Sequence, residues 1–359
     1  MRKKHFLFAS VLALLCGSST LHAQDFKLTS SGYFKNQGVD VMAFDDIYPE
    51  GHQGGVCIIM NGHRVATNGD IRLEATPGQW QPVPKQLDRK LGDNSITATL
   101  CYPDSSRHLT GFNPMIYPDL HLIYTVNVES KGKNIEVTVD LDRPIPQEFI
   151  GKVGFNLEFF PGSLFGKPWI MDGQSGIFPQ QPNSPLMTTQ PNYLHTGNYH
   201  DGKKSLADMD KLIGKGYSPI VADDIISEPY AKGTKFTSRP DDPYNKVSIE
   251  SLSGDLQLFD GRMNHNNGWF VLRSNIKPGV TKGAVKWIIT PNVVADWMYQ
   301  PVIQTSQIGY HPTQDKEAVI EMDIRDNRKE TAQIIRIDAD GEKVVKNVTP
   351  ANWGKFLRY

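Results

Sequence analysis

Hydrophobic and polar positions alternate with period two along much of the chain. Ile96, Ala98 and Leu100 alternate with Thr97, Thr99 and Cys101; Ile135, Val137, Val139 and Leu141 alternate with Glu136, Thr138 and Asp140. This pattern predicts strands with one buried and one wet face. Further β-rich runs lie at 121–129, 247–249, 256–258, 269–272 and 285–289. Apolar runs at 56–60 and 63–66 flank Asn61-Gly62, a dipeptide that suits a type I′ hairpin because both central residues need positive φ. The same dipeptide recurs as Asn68-Gly69 before Asp70, Ile71, Arg72 and Leu73 and carries the same turn signal. Ser253-Gly254, between 247–249 and 256–258, predicts a hairpin. One stretch reads as helical: Ser205 can cap, Leu206, Met209, Leu212 and Ile213 share a face, and Gly214 can stop it. It lies in a region rich in Pro, Gly, Asn, Gln and Asp, about 161–244, which reads as one long irregular excursion.

From about Pro301 the pattern starts afresh, with strands expected at 302–310, 318–322 and 332–337. Asp340-Gly341 reads as a turn into Lys343, Val344 and Val345. Turn signals at this spacing indicate a small sandwich, and fewer residues remain than the roughly 100 an immunoglobulin-like domain takes. The expectation is an all-β chain: a large β-sandwich over 24–300, then an incomplete second sandwich over 301–359.

Composition narrows the function classes. Lys plus Arg total 38 and Asp plus Glu 39, so the chain lacks the basic excess of a nucleic-acid binder or a polybasic membrane-surface protein. Residues 1–23 read as an export signal, with Arg2, Lys3 and Lys4 ahead of an apolar run over 6–16 that is too short to span a bilayer. Cleavage is expected between Ala23 and Gln24. A lipid anchor at Cys16 is disfavoured, because Leu15 is not the small residue such a site wants. The expected location is outside the cytoplasm: periplasm, outer surface or medium. Export leaves Cys57 and Cys101, which can pair in an oxidising compartment or sit as buried thiols on core-facing strand positions.

No Gly-x-Ser-x-Gly, His-Glu-x-x-His or P-loop pattern is present. His195 and His200 read as loop histidines. Asp45-Asp46, Asp223-Asp224 and Asp241-Asp242 are adjacent acids, and neighbours on a strand point to opposite faces, so none is a catalytic dyad by itself. They read as turn residues; Asp223, Asp224, Asp241 and Asp242 are the positions to inspect for calcium, and no other cofactor is implied. Trp80, Trp169 and Tyr193, beside polar loop residues, are candidate stacking platforms for sugar rings, whereas Trp287 alternates with core positions. An independent enzyme would have to draw on acids such as Glu158 and Asp172, which nothing in the spacing singles out.

One stretch carries a resemblance. Pro301 to Pro312, with Gln307-Ile308-Gly309-Tyr310-His311-Pro312 at its centre, is similar to the start of the immunoglobulin-like domain of glycoside hydrolase family 9, the cellulase type. Ala318 to Met322 and Trp353-Gly354-Lys355-Phe356 follow in the expected order. Phe44-Asp45-Asp46-Ile47-Tyr48-Pro49-Glu50-Gly51-His52-Gln53-Gly54-Gly55 and Phe155-Asn156-Leu157-Glu158-Phe159-Phe160-Pro161-Gly162 resemble an extra, supersandwich-like β-domain that precedes it in such enzymes of Bacteroidetes type. The resemblance implies the non-catalytic front part of an exported, inverting β-1,4-glucanase acting on β-glucan. Its (α/α)₆ barrel, with the Asp-Ala-Gly-Asp motif, lies outside these 359 residues, so no catalytic residue carries over. A sugar-binding sandwich acting in its own right is the alternative.

Overall fold

The computed structural model describes residues 25–45, 54–74, 77, 84–102, 120–182, 228–263, 268–327 and 331–355. Among these, eighteen strands form two nine-stranded sheets. The first sheet runs, edge to edge, β1 (Lys27–Leu28), β2 (Phe34–Asn36), β3 (Val39–Ala43), β4 (Val56–Met60), β5 (His63–Leu73), β10 (Val153–Phe159), β17 (Phe270–Asn275), β16 (Leu256–Asp260) and β13 (Ala231–Gly233). The second runs β12 (Gln174–Ile177), β11 (Pro168–Met171), β14 (Lys235–Ser238), β15 (Val247–Ser251), β18 (Val285–Pro291), β9 (Asn134–Leu141), β8 (Ile123–Lys131), β7 (Ser95–Cys101) and β6 (Lys85–Leu91). Neighbouring strands are antiparallel, and the all-β sandwich expected from the alternation is what forms. No described helix is long and apolar enough to cross a membrane.

Aromatic side chains from both inner faces tie the sheets together. Phe155 on β10 meets Trp287 on β18 edge-on at 5.0 Å between ring centres, and Phe159 meets Phe236 on β14 at 5.8 Å. Trp287 is fully buried, and its indole N–H donates to Ser274 Oγ at 3.0 Å. That bond meets the polar need of an otherwise apolar anchor.

The two sheets differ in how their outer faces are treated. In the second sheet β7, β8 and β9 alternate buried and partly exposed residues, as their sequences predict. In the first sheet β10 is buried at all seven positions and β5 over most of its length. Polar residues on the outer face of these central strands are therefore sealed from water.

Several expectations change. Asn61-Gly62 makes the hairpin turn, with φ of 53° and 83°. Asn68-Gly69 does not turn the chain: β5 runs straight through it. Opposite β10, Asn156 pairs with Asp70 and Glu158 with Thr67; opposite β4, Val56 pairs with Gly69 and Ile58 with Ala66. Against both neighbours β5 carries one extra residue, so this is a β-bulge, and Asn68 takes the left-handed conformation at φ 56° to accommodate it. Ser253-Gly254 does not close a hairpin either. β15 pairs with β14 and β18, whereas β16 pairs with β13 and β17, so the link crosses between sheets. The supposed irregular excursion contains β11, β12, β13 and β14. β11 and β12 are joined by Asp172-Gly173, both at positive φ, a two-residue turn in a stretch whose Gly and Pro content hid it.

Past 300, β19 (Val302–Gln304) pairs with β20 (Val319–Glu321), and β21 (Ala332–Asp338) with β22 (Gly341–Val348). The runs expected at 302–310 and 318–322 are shorter than their patterns suggested, and most side chains here are exposed. The expected helix at 205–213, Ala23-Gln24, Trp80, Tyr193, His195, His200, Asp223 and Asp224 lie outside the described residues.

Candidate functional site: a polar floor on the first sheet

Alternation places Gly154, Asn156, Glu158 and Phe160 on the face of β10 turned away from the second sheet, opposite to Phe155 and Phe159. Asn156 is paired with Arg273 on β17 and Glu158 with Val271, and the ladder continues to Phe160 beside Trp269. On β5 the bulge brings Asn68, Arg72 and Glu74 to the same neighbourhood.

The floor holds three hydrogen-bonded groups, coupled to one another by charge. Asn156 Nδ2 donates to Glu74 Oε1 at 2.5 Å. Arg273 Nη1 donates to the same oxygen at 3.3 Å and to Asn156 Oδ1 at 3.1 Å, Nη2 to the Glu74 carbonyl at 3.0 Å, and Nε to Asn275 Oδ1 at 2.7 Å. Asn68 Nδ2 donates to Glu158 Oε2 at 2.6 Å. Asp70 accepts from its neighbour's amide, Ile71 N, at 2.7 Å and from Tyr124 Oη of the second sheet at 3.0 Å. Gly154 supplies room: a Cβ there would lie 2.7 Å from Arg273 Nε, so only glycine lets the guanidinium lie across β10. Among the described residues Glu74 Oε2, Arg72 Nε and Asn68 Oδ1 are buried with no hydrogen-bond partner.

Burial governs the protonation of this network. Desolvation lifts Asp70 to about 6, against the opposing pull of Arg72 and its two hydrogen bonds. Desolvation lifts Glu74 to about 7, aided by Glu158 and opposed by Arg273 and Asn156. Desolvation pushes Arg72 down, but Glu158 and Asp70 outweigh it and hold the guanidinium above its ordinary value. Three carboxyls thus face two guanidiniums, with two of the carboxyls drawn toward their neutral forms. The floor carries no large net charge.

At one end of the floor the chemistry changes. Phe160 and Trp269 stand edge-to-face with ring centres 4.3 Å apart, and both are only partly buried. Phe160 lies four positions on from Asn156, one past the end of β10, roughly 13 Å along the strand direction. An aromatic pair and a hydrogen-bonding strip therefore share one face of two adjacent strands. Glu158 and its bulged partner Asn68 lie between them.

The residues singled out from sequence fall elsewhere. Trp169 on β11 is 7 % exposed and packs over Gly176, so it belongs to the core and presents no open ring. Asp172 lies in the β11–β12 turn of the second sheet and accepts from Thr234 N at 2.5 Å and Lys235 N at 2.9 Å. It is not brought to Glu158. Asp242 accepts from Tyr244 N at 2.9 Å, from Asn245 Nδ2 at 3.1 Å and from Arg239, so it organises its own turn, beside Asp241. No cluster of three metal-ligating side chains occurs among the described residues. Cys57 on β4 is buried with its sulfur 3.0 Å from Thr67 Oγ1; Cys101 lies on β7 of the other sheet, and the two are separate thiols. Asn156, Glu158 and Phe160 fall inside the stretch that carried the family resemblance. Arg72, Glu74, Trp269 and Arg273 were not singled out, because their proximity depends on strands distant in sequence.

No family model matches the chain, and no curated protein does. Among solved structures it is similar to the Slr1438 protein from Synechocystis sp. PCC 6803, at TM-score 0.33 and 10 % identity over 81 % of this chain and 100 % of that one. It is also similar to a galactose mutarotase related enzyme from Lactobacillus acidophilus, at TM-score 0.33 and 10 % identity over 72 % of this chain and 96 % of that one. Likenesses at this level assign neither an activity nor a ligand.

Proposed function

We propose that this chain is an exported, non-catalytic β-sandwich of a β-glucan-degrading protein, and that it meets saccharide at the Phe160–Trp269 end of the β10–β17 strip. The observation that carries this reading is the shared face of Phe160, Trp269, Glu158 and Asn68. A saccharide has apolar C–H faces and a girdle of hydroxyls, which call for an aromatic surface with a few fixed planar hydrogen-bonding groups beside it. The balanced charge of the floor suits a neutral ligand better than an anion or a cation. The ligand reaches the partly exposed aromatic end. The buried Glu74–Asn156–Arg273 network holds the strands that present it. The resemblance to glycoside hydrolase family 9 supports the β-glucan assignment and a non-catalytic role for this part of such a protein.

The test is calorimetry of the purified chain against soluble cello-oligosaccharides, mixed-linkage glucan and xyloglucan fragments. Binding to at least one is expected, weakened tenfold or more in Trp269→Ala with the fold retained. A flat titration across the set would overturn the binding reading. Robust hydrolysis by this chain alone would overturn its non-catalytic assignment.

A further inference from the structure

The segment between β18 and β19 is fastened at both ends. Trp297 and Tyr299 pack edge-to-face with ring centres 4.2 Å apart. Trp297 lies over the β2–β3 turn, where a Cβ on Gly38 would come within 2.7 Å of its ring, and Tyr299 lies over the β4–β5 turn, 3.0 Å from the same position on Gly62. Both glycines have positive φ, so the turns that leave this room are specified by glycine twice over. Gln37 Nε2 donates to the Trp297 carbonyl at 2.8 Å. The turns are themselves tied, since Asn61 N donates to the Gly38 carbonyl at 2.6 Å and Asn61 Nδ2 to the Tyr244 carbonyl at 2.5 Å.

From the other side Asp323, just past β20, accepts from Tyr299 N at 3.0 Å. It also holds Arg325 in a fork, Nε on Oδ1 at 3.0 Å and Nη2 on Oδ2 at 2.9 Å, and Arg325 Nη2 donates to the Trp297 carbonyl as well. Asp323 is 4 % exposed although its neighbours on β19 and β20 are mostly open. One carbonyl, that of Trp297, thus receives donors from both the sandwich and the segment after β20.

We infer that Trp297 and Tyr299 form a rigid joint, which seats the β19–β20 ribbon in one fixed orientation on the 37–38 and 61–62 turns of the sandwich. A mere tether at this point would be a solvated chain with polar side chains. Here instead two aromatics, two glycine-made seats and a buried carboxylate that grips an exposed guanidinium converge on this short segment. The joint is independent of whether the sandwich binds saccharide.

Nuclear-spin relaxation on the full chain tests it. Backbone amides of 302–304 and 319–321 are expected to tumble with the same correlation time as those of 135–139. In Trp297→Ala, and to a lesser degree in Arg325→Gln, the ribbon amides should acquire a shorter correlation time while the sandwich spectrum stays folded. Separate correlation times in the native chain would overturn the joint, as would unchanged relaxation in both variants.

Discussion

Arg273 Nη1 lies 3.3 Å from Glu74 Oε1, and both side chains are sealed from solvent, 1 % and 0 % exposed. Their strands stand two places apart in the first sheet, with β10 between them carrying Asn156 as the bridge. Removing one partner of such a pair leaves an uncompensated buried group, which is costlier than removing both. Arg273→Ala should destabilise the chain by about 3–5 kcal/mol. Arg273→Met combined with Glu74→Gln should recover much of that. Urea denaturation of single and double variants measures the coupling; strictly additive losses would show that the two groups do not act as a pair.

The raised carboxyls give stability an unusual pH slope. Asp70 stands at about 6 and Glu74 at about 7 in the folded chain, above the ordinary values of 3.8 and 4.5. Between those limits the native state binds more protons than the unfolded state, so stability falls as pH rises. The stabilisation from these two groups is complete below about pH 4 and lost as pH climbs through about 6 for Asp70 and about 7 for Glu74, on the order of 3 kcal/mol for each. Asp323, lowered to about 2, acts in the opposite sense below about pH 4 and does not overlap this window. Thermal melts should therefore show a decline from about pH 4 to about pH 7 that levels off above it. Asp70→Asn should flatten its lower part and Glu74→Gln its upper part. A midpoint that rises across this range would contradict the burial argument.

Gly154 is expected to tolerate nothing larger. The alanine methyl would meet Arg273 Nε at 2.7 Å and Asn275 Oδ1 at 2.9 Å, two groups already bonded to each other. Gly154→Ala should cost about 1–3 kcal/mol by overpacking. Gly162→Ala, where a Cβ meets nothing within 4 Å, should cost far less. Equal midpoints for the two variants in denaturant would show that the guanidinium can move aside freely.

The cysteines should behave as independent thiols. Cys57 and Cys101 lie on different sheets, Cys57 is buried, and partial burial raises the Cys101 thiol above its ordinary pKa. Thiol titration of the chain lacking residues 1–23, and so lacking Cys16, should find one slowly reacting group in the native state and two in denaturant. A reductant should leave the melting temperature unchanged. A mass deficit of two hydrogens with a reductant-sensitive melt would establish a disulfide instead.

Much of the second sheet was legible residue by residue. β7, β8 and β9 each bury one face, and a strand with a single wet face writes its periodicity directly into its sequence. The turn at Asn61-Gly62 was legible for a similar reason: the positive φ it needs selects its own residues. The bulge at Asn68-Gly69 was not, because the same dipeptide serves any left-handed backbone, and only the partners on β4 and β10 decide whether the chain turns or runs on. Ser253-Gly254 failed likewise, since which strand a segment pairs with is settled by the other segments competing for it. The sequence by itself determined the all-β class, most strand positions and the inward-facing core, because period-two alternation and turn chemistry are local. Tertiary structure alone decided the floor. Asn156 and Glu158 occupy positions that alternation marks as wet, and they become a buried, charge-coupled network only because β5, β10 and β17, drawn from residues near 70, 156 and 273, lie side by side.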